Sequence, residues 1–331
     1  MLRFGILGFG HHAVLRLIPA FAGSHACELR GLWRRNSEKA QENARAFGIP
    51  RVFATPTDLC ASAEIDAVFV TSPDALHLEH VLLAIQHGKA VLCEKPLGMN
   101  TAQAEAMVSA AQQAGVVFGV AQNFRYNSSV QLARQWIAEG RIGKPRLAHL
   151  QFCYDAERSP REWIYDPALA CGGPIGDVGV HCIDALRFLL QDEPIAVSTI
   201  ARKDGLSGDV ESSAIVSMEL AGGAMGMVSV TTRAAYRSLF AVTGESGTIL
   251  CENGLTVDQP VNLVQIQSGR VVATEPLSNT DAYSQMLDSF AKAVAREGAY
   301  LAPGEDGLIN QRLLDAAYAA WRTGARQSLA R

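Results

Sequence analysis

The sequence predicts an α/β chain of two domains: a doubly wound parallel sheet over residues 1–122, then, over 123–331, an α+β domain built on a predominantly antiparallel, mixed sheet. Three observations carry that prediction. The chain has 331 residues, more than a single hydrophobic core usually spans. Residues 1–122 alternate short continuous apolar runs with helix-length stretches, as strands covered on both faces do. Beyond 122, apolar and polar residues alternate one by one, as in strands with one wetter face.

The apolar runs at 2–7, 27–33, 65–71, 90–93 and 116–121 read as the parallel strands. Between the first two, Val14, Leu17, Ile18 and Phe21 recur at three and four, which predicts a helix that Pro19 should kink or restart. In the second domain, 147–154 puts Ala148, Leu150, Phe152 and Tyr154 on one face and His149 and Gln151 on the other. Ala214, Val216, Met218 and Leu220 alternate likewise with Ser217 and Glu219, and further strands at 225–231, 239–242 and 248–252 are divided by glycine turns. Helices are predicted at 128–139, 174–190, 281–297 and 305–323, the last closed by Gly324.

Composition excludes some classes of function. With 29 Lys and Arg against 33 Asp and Glu, the net charge of −4 offers no footprint for nucleic acid or an anionic membrane. No apolar run reaches the roughly 20 residues of a membrane span. The seven cysteines, Cys27, Cys60, Cys93, Cys153, Cys171, Cys182 and Cys251, are scattered without a C-x-x-C pair, which suggests reduced thiols in a cytoplasmic protein.

The stretch GFGHHA contains Gly8, Gly10 and Ala13 in the G-x-G-x-x-G/A spacing, after the first strand and at the opening of a helix. The first glycine permits a tight turn, the second admits a pyrophosphate to the backbone, and the small third residue lets helix and strand pack closely. The loop residues Phe9, His11 and His12 would serve mainly through their backbone, with His12 near the pyrophosphate. A Rossmann-type NAD site would carry an Asp or Glu at the end of the second strand for the ribose 2′-hydroxyl. Trp33, Arg34 and Arg35 stand there instead. The arginines are either a solvated turn or a clamp for a 2′-phosphate; the missing acid and the added cations both favour NADP, with NAD as second choice.

At 68–98, Ser72, Pro73 and His77 are followed by Gly88, Lys89, Val91, Glu94, Lys95 and Pro96. Later come Gly172, Gly173, Asp177, Gly179, His181 and Asp184, with Pro174 in place of a third glycine, and before them the run NFRYNSSVQLARQWIAEGRIGKP. In these three ordered motifs the chain resembles, over nearly its whole length, the Gfo/Idh/MocA oxidoreductases, named for glucose-fructose oxidoreductase and inositol 2-dehydrogenase. The resemblance implies hydride transfer between a nicotinamide cofactor and a carbinol or carbonyl carbon of a sugar, polyol or related small molecule.

A proton must then join or leave the substrate oxygen, and an acid/base group must sit there. Lys95 lies just past the carboxyl end of strand 90–93, where open α/β sheets place ligands. Asp177 and His181 are spaced i, i+4, which on a helix from Pro174 puts both on one face. By resemblance, Lys95, Asp177 and His181 are the catalytic residues: His181 or Lys95 handles the proton, and Asp177 orients the imidazole. The Lys95–Pro96 bond is often cis in that family. The resemblance also implies that Thr71, Ser72, Pro73, His77, Glu94, Lys95, Pro96 and Gln122 line the cofactor together with the glycine loop and the Trp33–Arg35 segment. It implies that Asn123, Arg125, Tyr126, Tyr154, Arg158, Trp163 and Asp166 shape the substrate pocket. Tyr154 and Trp163 suit either stacking on a sugar ring or core packing. His80 and His87 read as surface residues, Asp184 as structural, and no metal is implied, since H-E-x-x-H is absent. A homodimer or homotetramer through the second domain's sheet is implied as well. Other activities on the same fold would be a cofactor-bound sensor without turnover, or a redox-neutral glycosidase holding NAD.

Overall fold

The computed structural model describes residues 1–157, 159–205 and 208–329. They form two compact units: Met1–Gln122 with Tyr283–Gln311, and Asn123–Ala282 with Arg312–Arg331.

The first unit is built on parallel strands β1 (Leu2–Leu7), β2 (Cys27–Trp33), β3 (Arg51–Val52), β4 (Ala67–Val70), β5 (Ala90–Cys93) and β6 (Phe118–Val120), in the order β3-β2-β1-β4-β5-β6. All residues of β4 and β5 are buried, as the unbroken apolar runs require of strands covered on both faces. Between the strands lie α1 (Ile18–Gly23), α2 (Ser37–Phe47), α3 (Pro56–Ala61), α4 (His77–Gln86) and α5 (Thr101–Ala114). The caps follow from sequence: the Asn36 and Asn100 side chains accept the Lys39 and Gln103 N–H groups, and Gly48 and Gly115 close α2 and α5 at φ of 64° and 65°. The first helix does restart. A π-turn spans Ala13–Leu17 and α1 follows, so that Pro19 falls in an initial turn that needs no N–H from it.

A single boundary after residue 122 does not describe this unit, because Tyr283–Gln311 belongs to it too. Phe290 lies 5.9 Å from Phe4, the Tyr300 hydroxyl donates to the Val120 carbonyl at 3.0 Å, and the Val120 N–H donates to Ala302 at 2.9 Å. Apolar burial and a sheet-edge hydrogen bond thus return a late segment to the first core.

The second unit opens with a short turn, Asn123–Tyr126, and α6 (Ser128–Ala138). Its sheet contains β7 (Pro145–Asp155), β8 (Pro194–Arg202), β9 (Ser213–Leu220), β10 (Met225–Thr231), β11 (Arg233–Gly244), β12 (Thr248–Glu252), β13 (Pro260–Gln267), β14 (Arg270–Ser278) and β15 (Gln327–Ser328). The order is β14-β13-β12-β11-β7-β10-β9-β8-β15, antiparallel throughout except for the parallel pair β7–β10. Register aligns Leu150, Val228, Val216 and Phe240 across neighbouring strands, all buried, which is the apolar face read from the alternation. On this face α7 (Val180–Leu190) packs: a Cβ at Gly226 would meet Leu186 at 2.5 Å. The helices α8 (Ala282–Val294) and α9 (Gly304–Thr323) complete the chain, and Gly324 ends α9 with φ +67°. Among the described residues no helix is long and apolar enough to cross a membrane.

Candidate active site

The first unit carries the glycine loop. Leu7 ends β1 opposite Trp33 of β2 and Val70 of β4. The Trp33 carbonyl accepts both the Gly8 and Phe9 N–H groups at 3.1 Å, so the turn is fastened to the end of β2. Gly8 has φ +88°, and a Cβ there would lie 2.6 Å from the Ser72 backbone, so no other residue fits. At Gly10 a Cβ would meet only the Gly8 carbonyl, at 3.6 Å, which leaves the space beside this residue open. A tight first glycine, an open second one and a helix start beyond them suit a dinucleotide pyrophosphate. The Phe9 side chain is fully buried, and only its backbone remains for a ligand.

Arg34 and Arg35 directly follow β2, before Asn36 caps α2. Arg34 is half-buried and donates from Nη1 to Asn43 Oδ1 at 2.9 Å; Arg35 is exposed. His12 Nε2 lies 2.9 Å from Glu94 Oε1, with its ring 5.9 Å from Tyr283. This pair joins the glycine loop to the Glu94-Lys95-Pro96 segment, whose Lys95–Pro96 bond is cis. Thr71 Oγ1 donates to the Gly8 carbonyl at 3.1 Å, and Gln122 is buried at the end of the unit. Lys95 is half-buried immediately beyond β5 and Glu94.

Two histidines depart from expectation. His77 is wholly buried, and its ring nitrogens face the carbonyls of Ser72 and Pro96, each at 2.9 Å. It joins the two loops rather than lining a ligand surface. His80 is buried as well, not at the surface: Nδ1 lies 2.9 Å from Ser72 Oγ, the ring meets Trp33 edge-on at 5.6 Å, and burial pushes its imidazole below the usual range. The chain's own packing absorbs both residues, because α4 presses its first turns onto the Ser72 loop.

The second unit carries Asp177 and His181. The sequence pattern suggested one α-helix from Pro174, but Ile175–Gly179 forms a π-turn before α7 begins. Such turns are frequent at functional sites, and this one bears Asp177. Oδ1 accepts from Arg161 Nη1 at 3.1 Å, while Oδ2 accepts from Arg161 Nη2 at 3.0 Å and from the Tyr154 hydroxyl. Arg161, from the loop after β7, was not singled out by sequence; nothing local marks it except a cation in the substrate-side loop. Burial and the Asp177 charge push the Tyr154 phenol up, so it remains a donor to the carboxylate. The hydroxyl is thereby committed. His181 lies in the first turn of α7, 8% exposed, its ring 4.5 Å from that of Phe124.

Of the other residues expected around substrate, Asn123 is buried, and its Nδ2 has no hydrogen-bond partner among the described residues. An orphaned amide donor of this kind is suited to a ligand oxygen. Arg125 requires correction. Its Nε and Nη2 donate to Asp184 at 2.8 and 2.7 Å, the guanidinium lies over Phe188, and both members of the pair are buried. This is a scaffold ion pair, and it gives Asp184 the structural role read from sequence. Tyr126 is buried, Trp163 is half-buried on a short turn, and Asp166 is exposed. Arg158 lies outside the described residues. Among the described residues no group of three His, Cys, Asp or Glu side chains could hold a metal.

Comparison with known proteins identifies the family. Residues 2–122 match the oxidoreductase family with the NAD-binding Rossmann fold, and residues 130–250 match the GFO/IDH/MocA C-terminal domain. The 1,5-anhydro-D-fructose reductase of Ensifer adhaerens is 32% identical over 311 residues, covering 93% of this chain and 92% of that protein. The D-xylose 1-dehydrogenase (NADP(+)) 2 of Haloferax volcanii is 29% identical, covering 99% of this chain and 100% of that protein. The aldose-aldose oxidoreductase of Caulobacter crescentus, solved with glycerol, superposes with a TM-score of 0.91 at 25% identity over 99% of each chain. Both matches together span most of the chain, and the chain belongs to the GFO/IDH/MocA family of NAD(P)-binding oxidoreductases.

Proposed function

We propose that the protein is an NADP-dependent oxidoreductase that interconverts a carbinol and a carbonyl on a sugar, polyol or related small molecule. The observation that carries the choice of cofactor is the end of β2. Trp33 holds the glycine turn through its carbonyl, and the next two residues are Arg34 and Arg35, with no carboxylate between them and the Asn36 cap. A ribose 2′-hydroxyl has no carboxylate to accept it in this segment, whereas a 2′-phosphate would meet two cations. The name of the xylose dehydrogenase carries NADP(+), and both it and that of the anhydrofructose reductase carry a sugar or sugar-derived substrate, which supports the reading.

The loop Gly8–Ala13 would hold the pyrophosphate, the arginines the 2′-phosphate, and Thr71, Ser72, Pro73, Lys95 and Gln122 the remainder of the cofactor. Bound nicotinamide supplies or takes the hydride. The chain's own task is then the proton on the substrate oxygen, for which Lys95 and His181 are the candidate groups. Asp177, gripped by Arg161 and Tyr154, presents a fixed carboxylate one turn before His181, and the Asn123 amide can donate to a substrate hydroxyl.

The test is a fluorescence titration with NADPH and with NADH, followed by a screen of carbonyl sugars for NADPH oxidation. NADPH should bind about tenfold tighter or better, roughly 1.4 kcal/mol, and Arg34→Asp should erase that margin. Equal affinity for both cofactors, unchanged in the variant, would reduce the arginines to turn residues and reopen the NAD-dependent readings. Binding without consumption of cofactor across the screen would point to a sensor.

A further inference from the structure

The geometry points to Glu211 as a positioning residue of the oxidoreductase reaction: we propose that its carboxylate, buried beneath the Gly172-Gly173-Pro174 turn, sets the placement of the π-turn and helix that carry Asp177 and His181. The inference rests on the function proposed above. Glu211 is 1% exposed, just before β9. Its Oε2 accepts the Gly173 N–H at 2.9 Å; its Oε1 accepts the Ile175 N–H and the Tyr318 hydroxyl, both at 2.9 Å. Pro174 between those two amides has no N–H to offer. The Gly173 and Ile175 N–H groups at the start of this helical segment therefore converge on one side chain. Asp177 follows directly, its own N–H closing the next turn onto the Gly173 carbonyl at 2.9 Å.

The chemistry explains why a charged acid occupies a buried place. Three donors need three acceptor sites on two oxygens, which a carboxylate supplies and a glutamine does not. A glutamine would aim its own NH₂ at a backbone N–H and leave a buried donor unpaired. A negative charge at a helix start is also favoured by the helix dipole. Burial pushes the Glu211 carboxyl up, and the amides and the phenol oppose that rise.

The two glycines are pressed against the same two residues. Gly172 has φ +147°, and a Cβ there would come within 1.8 Å of the Tyr318 hydroxyl; a Cβ at Gly173 would meet the Glu211 carbonyl oxygen at 1.9 Å. The turn is thus pressed against Glu211 and Tyr318 from below, while Arg161 and Tyr154 hold Asp177 from its side-chain end. A misplacement of a catalytic group by about 1 Å is enough to slow a reaction, which separates this role from simple fold stability.

The experiment compares wild type, Glu211→Gln and Tyr318→Phe by steady-state kinetics, NADPH titration, thermal unfolding and amide hydrogen exchange over residues 171–179. Glu211→Gln should lower kcat by about tenfold to a hundredfold, with KM and NADPH affinity nearly unchanged and with faster exchange confined to the turn. Tyr318→Phe, which keeps the carboxylate, should show the same pattern at smaller size and serves if Glu211→Gln does not fold. A variant that unfolds earlier but keeps wild-type kcat would overturn the proposal and leave Glu211 a fold element; unchanged exchange at the turn would overturn it equally. Absence of NADPH oxidation by wild type would count against the proposed function, and the exchange measurement would still decide whether Glu211 holds the turn.

Discussion

At the scale of single residues, Asp177 offers the most direct measurement. Arg161 supplies two of its hydrogen bonds and a positive charge, and Tyr154 supplies the third. Arg161→Met should reduce kcat by about tenfold or more with NADPH affinity retained, because the carboxylate loses two hydrogen bonds and its cation. Arg161→Lys, which keeps the charge but not the two-pronged geometry, should restore only part of kcat. Wild-type kcat in Arg161→Met would take Arg161 out of the site. The sequence disclosed Asp177, His181 and Lys95 because their motifs are local strings. Arg161 could not be found that way, since its partner lies sixteen positions on and the intervening loop has no periodicity. His80 was misread for a related reason: helical spacing reports a face, and not whether a neighbouring loop has closed over it.

At the scale of elements, the short turn Asn123–Tyr126 and α7 are joined by the Arg125–Asp184 pair, with side-chain exposures of 6% and 1%. Arg187 reaches the same carboxylate at 3.8 Å and binds Glu193 as well. Arg125→Met leaves Asp184 buried with reduced compensation and should cost about 3–5 kcal/mol in urea unfolding. Arg125→Met with Asp184→Leu should recover most of that loss, because apolar side chains of similar volume need no partner. A single variant as stable as wild type would show that the pair contributes nothing to the fold. Strand legibility tracked burial pattern. The runs at β1, β2, β5, β10 and β12 were readable to the residue, since a buried run or a strict alternation marks both ends. β14 was not seen because it is an edge strand with both faces wet, Val271 and Val272 included, and so carries no alternation. β3, with two residues, is too short to carry a pattern.

At the scale of the whole molecule, a linear reading could place the boundary at Gln122 but could not foresee that Tyr283–Gln311 rejoins the first core, since nothing in an amphipathic helix names the sheet it will cover. The second unit's sheet leaves a different open question, and its register suggests the answer. Opposite the helix-covered face, Leu147 pairs with Met225 and Ile215 with Ile200, at exposures of 52%, 54%, 44% and 77%. Between them lie His149, Ser217, Met227 and Ser229, a mixed row with His149 Nε2 2.9 Å from Ser229 Oγ. Apolar pairs aligned across neighbouring strands, with hydrogen-bonding groups between, suit burial against a flat partner better than contact with water. We propose that the partner is a second copy of the chain, meeting face to face about a two-fold axis so that the same patch serves both sides. Ile215→Lys with Met225→Lys places a cation on each of two strands of this apolar patch. Sedimentation equilibrium should find wild type as a dimer or tetramer and the double variant as a smaller species, with cofactor affinity retained because no residue of the first unit is altered. Wild type that sediments as a monomer, or a double variant that assembles as wild type does, would assign the face to solvent and move any assembly elsewhere.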